Sequence, residues 1–145
     1  MPKIAPRDNP CYCINFRRAA NTLTKFYDRA FAPIGLTTNQ FSLLGDVKAL
    51  QPCNKSELAR SSRLDRTTII RSLSILREKG LIEEAEAAEG RNRSVRLTAA
   101  GESAIAEGMA GWKQAQKRVK SLLGTENIQT LQLILTGIET LGEDE

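Results

Sequence analysis

The stretch NKSELARSSRLDRTTIIRSLSILREKGLIEEAEAAEGRNRSVRLT, residues 54–98, decides the fold. Asn54 followed three residues later by Glu57 is a capping box, and Cys53 and Leu58 flank it as a hydrophobic staple, so a helix begins here and ends near Ser61 and Ser62. Asp65 caps a second helix that runs to about Lys79. Ile69, Leu73 and Leu76 recur along it at the spacing of a buried stripe, with Ile70 partly inside, and Gly80 supplies the left-handed stop. Leu81–Ala85 and Ser94–Leu97 alternate as short strands around a loop that holds Gly90. Two short helices, a tight turn and a hairpin in that order predict a winged helix-turn-helix.

Working outward, Thr37 and Gln40 form another capping box, stapled by Leu36 and Phe41, and start a helix whose inner face is Phe41, Leu44, Val47 and the stem of Lys48. Gln51 and Pro52 stop it. Before it, a long helix spans about Cys11 to Phe31, with Phe16, Ala20, Leu23, Tyr27 and Ala30 on one stripe widened by Ala19, Phe26 and Phe31; Pro33 and Gly35 end it. Residues 1–10 hold three of the five prolines and no periodicity, which reads as an extended arm. Downstream, Thr98 caps a long helix to about Leu123 with a stripe of Ile105, Met109, Trp112, Val119 and Leu122. Gly124 ends it, and Thr125 caps a last helix carrying Ile128, Leu131, Leu135, Ile138 and Leu141. The fold class is mainly α with a small β-hairpin wing. Residues 1–145 make one domain, with a winged-helix part at about 37–98 and apolar helices at 11–32 and 99–142. Those outer stripes exceed what so small a unit can cover, so they predict pairing with a second copy.

Composition narrows the function. With 41% hydrophobic and 26% charged residues the chain is an ordinary globular sequence. No apolar run approaches the ~18 residues of a membrane span, and none follows a basic start as a secretory signal would, so a cytoplasmic protein is expected. The absence of histidine removes Ser-His-Asp triads, Cys-His pairs and most zinc sites; no enzyme, metal site or cofactor is expected. Charge is uneven. Residues 1–97 carry a net +7 and residues 98–145 a net −3, so the part that would bind a polyanion is separate from the rest.

In helix-turn-helix docking the second helix lies in the major groove and its N-terminal residues meet bases and phosphates. The outward face of 65–79 offers Arg66, Thr67, Thr68, Arg71 and Ser72 there. Arginine can hold a guanine edge bidentately, and threonine offers a hydroxyl together with a methyl group. Ser56, Arg60 and Arg63, around the preceding helix and the turn, suit backbone contacts that position without specifying. Arg91 and Arg93 lie in the hairpin loop Glu89-Gly90-Arg91-Asn92-Arg93, suited to a minor groove or to flanking phosphates. Double-stranded DNA is the expected partner. The alternative to a sequence-specific regulator is an architectural DNA-binding protein with no operator.

These pieces resemble the MarR family of bacterial transcription regulators over almost the whole chain, from Cys11 to Leu141. Gly35-Leu36-Thr37-Thr38-Asn39-Gln40-Phe41 resembles the family's approach to its second helix. Ser56-Glu57-Leu58-Ala59, Leu64-Asp65-Arg66-Thr67-Thr68 and Leu76-Arg77-Glu78-Lys79-Gly80-Leu81-Ile82 resemble its helix-turn-helix. Arg91 through Leu97-Thr98-Ala99-Ala100-Gly101 resembles its wing and wing exit; Glu89 stands where the family usually has aspartate. The resemblance implies a homodimer formed by the N- and C-terminal helices, a pseudo-palindromic binding site, and a regulator, most simply a repressor, released by a small ligand or by thiol oxidation.

Two features bear on that signal. Cys11 and Cys13 flank the start of the first helix, with Arg17 one turn beyond Cys13, and a helix N-terminus and a guanidinium both favour a thiolate. Cys13 falls where the family's organic-hydroperoxide sensors resemble it with their reactive cysteine. Tyr27 matches one of the two tyrosines those sensors set against it, while Arg17 replaces the other. Cys53, at a staple position, reads as a buried packing thiol. Alternatively, Phe16, Arg17, Tyr27, Phe41 and Trp112, with Arg18, would line a pocket for a small aromatic or phenolic effector, an aromatic acid above all; each of these has an equally simple place in core or dimer packing.

Overall fold

The computed structural model describes residues 10–86 and 93–142. The N-terminal arm and the hairpin tip, with Glu89, Gly90, Arg91 and Asn92, lie outside the described residues. Among the described residues the order is α1 (Tyr12–Phe31), a 3₁₀ turn (Ala32–Ile34), α2 (Thr38–Leu50), α3 (Lys55–Ser62), α4 (Arg66–Glu78), β1 (Ile82–Glu86), β2 (Arg93–Leu97), α5 (Ala99–Leu123) and α6 (Thr125–Glu139). The mainly helical fold with a two-stranded antiparallel hairpin is as expected.

The capping boxes hold in both directions. Thr37 Oγ1 accepts from Gln40 N while Gln40 Oε1 accepts from Thr37 N, and Asn54 and Glu57 do the same at α3. The core lies where α2, α3, α4 and the hairpin meet: Leu43, Leu44, Val47, Leu58, Ile69, Leu73, Leu76, Ile82 and Val95 are all buried. β1 and β2 pair with Ile82 opposite Leu97 and Glu84 opposite Val95. A further bridge joins Cys53 to Val95, with hydrogen bonds of 3.2 and 2.7 Å, and ties the approach to α3 into the sheet. Cys53 is buried there, and burial first, then Glu57 and Asp46, push its thiol pKa up, which suits a packing role.

Four helical expectations change. On α2, Leu43 joins the buried face, while Phe41 is half-buried and stacks on Phe31 with ring centroids 4.2 Å apart. Lys48 sends its ammonium to Glu102 of α5, 2.7 Å away, rather than laying its stem inside. The fully buried residues of α5 are Gly101, Gly108 and Ala115, one heptad apart, while Ile105 of the expected stripe is partly buried against the core; at Gly101 and Gly108 the helix passes too close to its neighbours for a side chain. Trp112 and Leu122 are exposed. The N-cap of α6 is Gly124, with no side-chain bond, so Thr125 is inside the helix.

Thr98, at the junction of wing and α5, ties the two together through its hydroxyl and its N–H. Its hydroxyl accepts from Gly101 N at 3.1 Å and donates to Gly80 O at 2.6 Å, and its N–H donates to Leu81 O at 3.1 Å. Thr98→Ala removes an N-cap and a turn-closing bond together, and a loss of about 1–2 kcal/mol in denaturant unfolding is expected. An unchanged midpoint would mean that water replaces both bonds.

The outer helices are left with bare apolar surface. Phe16 and Leu23 on α1, and Leu133, Ile134, Leu135 and Ile138 on α6, are all exposed, and α6 has no buried residue. No helix among the described residues is long and apolar enough to cross a membrane.

Candidate nucleic-acid interface

The site is built on α4. Ile69, Leu73 and Leu76 are essentially inaccessible and fix one face of the helix against the core. The 3.6-residue period then turns Arg66, Thr67, Thr68 and Arg71 outward, all within its first two turns, and all four are exposed. Ser72, also assigned to this face from the sequence, is half-buried at its margin.

Asp65 caps this helix. Its Oδ1 accepts from Thr68 N at 2.9 Å, and its Oδ2 accepts from Thr68 Oγ1 at 2.6 Å. The Thr68 hydroxyl proton is therefore committed to Asp65, leaving its methyl and an oxygen lone pair for a ligand. The same side-chain bond, followed by the backbone bond, lowers the Asp65 pKa. Because the folded pKa lies below the unfolded one, the cap's stabilisation is complete above the unfolded value and disappears as pH falls through the folded value. Acid titration by circular dichroism should lose helix signal in that window, and Asp65→Asn should lose this component of acid sensitivity; identical titrations would refute it.

Ser56 and Arg60 are exposed on α3, the helix that precedes α4. Arg63 ends α3 in the left-handed region, φ 53°, and its guanidinium pairs with Glu139 of α6 rather than standing free for a phosphate. Arg93 is exposed at the start of β2. Arg91 lies outside the described residues. Cys11 is the N-terminal flank of α1 and Cys13 lies in its first turn; both are exposed, and none of the three cysteines is in a disulfide.

A cavity of about 410 Å³ lies among α1, α2 and α5, with Tyr27, Phe31, Phe41, Asp46, Trp112 and Gln116 in its wall. Tyr27, Phe41 and Trp112 were expected there. Phe16 and Arg17 are not among its lining residues: they sit on the exposed N-terminal half of α1, more than two turns before Tyr27. The charge in the wall is instead Asp46, whose pKa burial pushes up. Sequence periodicity did not single out Asp46, because a lone acid on α2 looks like a solvated one. Tyr27 donates its hydroxyl proton to Gln116 Oε1, and burial raises its pKa. Tyr27 lies fourteen residues beyond Cys13 on one straight helix, about 21 Å along its axis, so the two do not meet within a protomer.

Comparison with known proteins gives the arrangement its context. A family model described as a winged helix DNA-binding domain matches residues 36–101. No curated protein matches the sequence. Among solved structures, the M. tuberculosis transcriptional regulator MosR in complex with DNA is 32% identical, with a TM-score of 0.82 over 92% of this chain and 96% of that one. The chain belongs to the MarR family. Two more distant members share its fold. S. aureus MepR in a DNA complex is 20% identical, with a TM-score of 0.82 over 91% of this chain and 98% of that one. A mutant E. coli MarR complexed with operator DNA is 18% identical, with a TM-score of 0.79 over 85% and 89%. This MarR-family chain is a DNA-binding transcription regulator and not an enzyme.

Proposed function

We propose that the protein is a cytoplasmic repressor that binds a pseudo-palindromic operator as a homodimer and leaves it when an effector binds or a thiol is oxidised. The observation that carries this is α4: a helix locked by three buried residues, with Arg66, Thr67 and Arg71 exposed at its N-terminal end. Residues 37–98 form the DNA-reading part, and 11–32 with 99–142 form the pairing helices. Exposed apolar surface on α1 and α6 supports pairing, since a monomer rarely leaves so much bare. Two copies related by a two-fold axis would set their recognition helices about 34–36 Å apart, matching successive major grooves. Arg66, Thr67, Thr68, Arg71 and Ser72 are assigned to bases and nearby phosphates; Ser56, Arg60, Arg91 and Arg93 to the backbone and minor groove. Arg63 joins the backbone group only by releasing Glu139.

The test is titration of the protein with DNA upstream of its own gene and with scrambled duplex at one salt concentration. Preference of at least ~10³-fold is expected. Equal affinities would favour an architectural protein.

For the signal, the cavity beside α2 is the assigned effector site, and its wall revises the effector's chemistry. Aromatic rings with one carboxylate, and no cation among the described lining residues, suit a neutral or cationic aromatic compound instead of an aromatic acid. Benzyltrimethylammonium should bind about ten-fold tighter than benzoate, a difference of the size that cation–π and carboxylate contacts provide, and Asp46→Asn should remove the carboxylate's share and shrink the difference. Because the cation favours the ionised carboxylate, its affinity should fall as pH is lowered through the raised Asp46 pKa. Tighter binding of benzoate would refute the assignment. The exposure of Cys13 in the first turn of α1 supports a second route, oxidation. Peroxide should weaken operator binding, and Cys13→Ser should be insensitive; equal loss in both would exclude Cys13 as the sensor.

A further inference from the structure

On β1 the side chains alternate, and Ile82 and Glu84 share the inner face, opposite Leu97 and Val95. Ile82 and Val95 are buried core. One step further toward the hairpin tip the inner position is a carboxylate, and the Glu84 side chain is only 8% exposed. Three cations from three elements surround it. Lys55 Nζ, at the start of α3, is 3.6 Å from Oε1; Arg77 Nη1, in the last turn of α4, is 3.8 Å from the same oxygen; Arg93 Nη1, at the start of β2, is 3.8 Å from Oε2.

This placement answers a local anomaly. A lysine at the first position of a helix opposes the helix dipole, and Lys55 is tolerable there because Glu84 faces it. It also joins the parts that have to be aligned on DNA, since the cluster touches both helices of the helix-turn-helix and the wing. Its contacts are longer than hydrogen-bonded ion pairs, so they act as a charge cluster and not as rigid bonds. One carboxylate among three cations leaves the group net positive beside the proposed DNA face.

We propose that Glu84 is a positioning residue for DNA recognition: it gathers Lys55, Arg77 and Arg93 about one point, fixes the wing relative to α3 and α4, and thereby exchanges non-specific attraction for discrimination between sequences. The proposal rests on the reading that α4 and the wing face DNA. It differs from simple electrostatics in the sign of one effect. A carboxylate near DNA repels phosphate, so its removal should tighten binding to every duplex equally if charge is all that matters. If Glu84 positions the wing, its removal tightens binding to random sequence and weakens binding to the operator.

The experiment compares the full-length protein with Glu84→Gln, which keeps the shape and removes the charge, and with Glu84→Asp, which keeps the charge and shortens the reach. Affinities for the operator and for scrambled duplex are measured at several salt concentrations, below the thermal midpoint of each variant. The expected result is a ratio of operator to scrambled affinity at least ten-fold lower for Glu84→Gln. Its salt slope on scrambled DNA should steepen by about 1–2, as freed cations reach phosphates. Glu84→Asp should fall between the two, which keeps the test decisive where Glu84→Gln folds poorly. A parallel rise in both affinities, or a ratio unchanged in both variants, overturns the proposal. If the unaltered protein itself shows no operator preference, the DNA-reading assignment fails first, and the proposal with it.

Discussion

Gly101→Ala is expected to destabilise the protein by about 3 kcal/mol or more, toward the upper end of what overpacking costs. A Cβ at this position would stand 2.1 Å from the carbonyl oxygen of Leu81 and 3.3 Å from Leu97 Cδ2. The oxygen cannot step aside cheaply, because it is backbone and accepts the Thr98 N–H at 3.1 Å. Helix propensity acts the other way, favouring alanine over glycine by about 1 kcal/mol in a helix interior. At 2.1 Å from a backbone oxygen the steric term outweighs it, so the sign of the change reports the α5–wing contact. Gly45 on α2 is the control: nothing lies within 4 Å of its would-be Cβ, so Gly45→Ala should be neutral or stabilising by up to about 1 kcal/mol. Denaturant midpoints of both variants check the pair, and a Gly101→Ala protein as stable as Gly45→Ala would contradict the packing. Since whole domains are stable by only about 5–15 kcal/mol, the Gly101 change should be visible in expression as well.

Arg71→Ala is expected to weaken operator binding by about 2–6 kcal/mol, or roughly 30-fold to 10⁴-fold. One bidentate arginine–guanine contact is worth about 1–3 kcal/mol, and the two-fold dimer proposed above would lose it twice. Specificity should relax at one symmetric pair of base positions. Arg60→Ala, assigned to the backbone, should instead weaken all duplexes alike and reduce the salt slope by about 1 per site. A uniform loss in Arg71→Ala would move that residue to the phosphate group. Unchanged affinity would remove it from the interface altogether.

Both predictions concern positions whose types were visible in the sequence, but only the second could be argued from it. Arg71 lies on the face opposite Ile69, Leu73 and Leu76, and periodicity alone assigns that face to solvent. The caps at Thr37, Asn54, Asp65 and Thr98 were equally legible, because each is a local pattern of a short polar side chain and a backbone N–H two or three residues on. The first hairpin strand came out one residue displaced, at Ile82–Glu86, and the second one residue longer at its start, at Arg93–Leu97 where the sequence had left Arg93 in the loop, since alternation marks a strand's phase better than its ends.

What the sequence by itself determined is local or periodic: helix starts, the buried stripe of α4, the order of elements and the exposed arginines that follow. Tertiary structure alone decided which surfaces approach closely. It made Gly101, Gly108 and Ala115 the fully buried residues of α5, beside an expected apolar stripe that is only partly buried or exposed. It removed Phe16 and Arg17 from the cavity and put the carboxylate of Asp46 in its wall where arginine had been expected. It paired Arg63 with Glu139 and gathered Lys55, Arg77 and Arg93 about Glu84, residues that lie up to 76 positions apart within a pair. The reason is physical. Caps and stripes are set by neighbours within a turn or two, whereas the distance between two helices and the charge inside a cavity depend on how separate elements dock, which no single segment encodes.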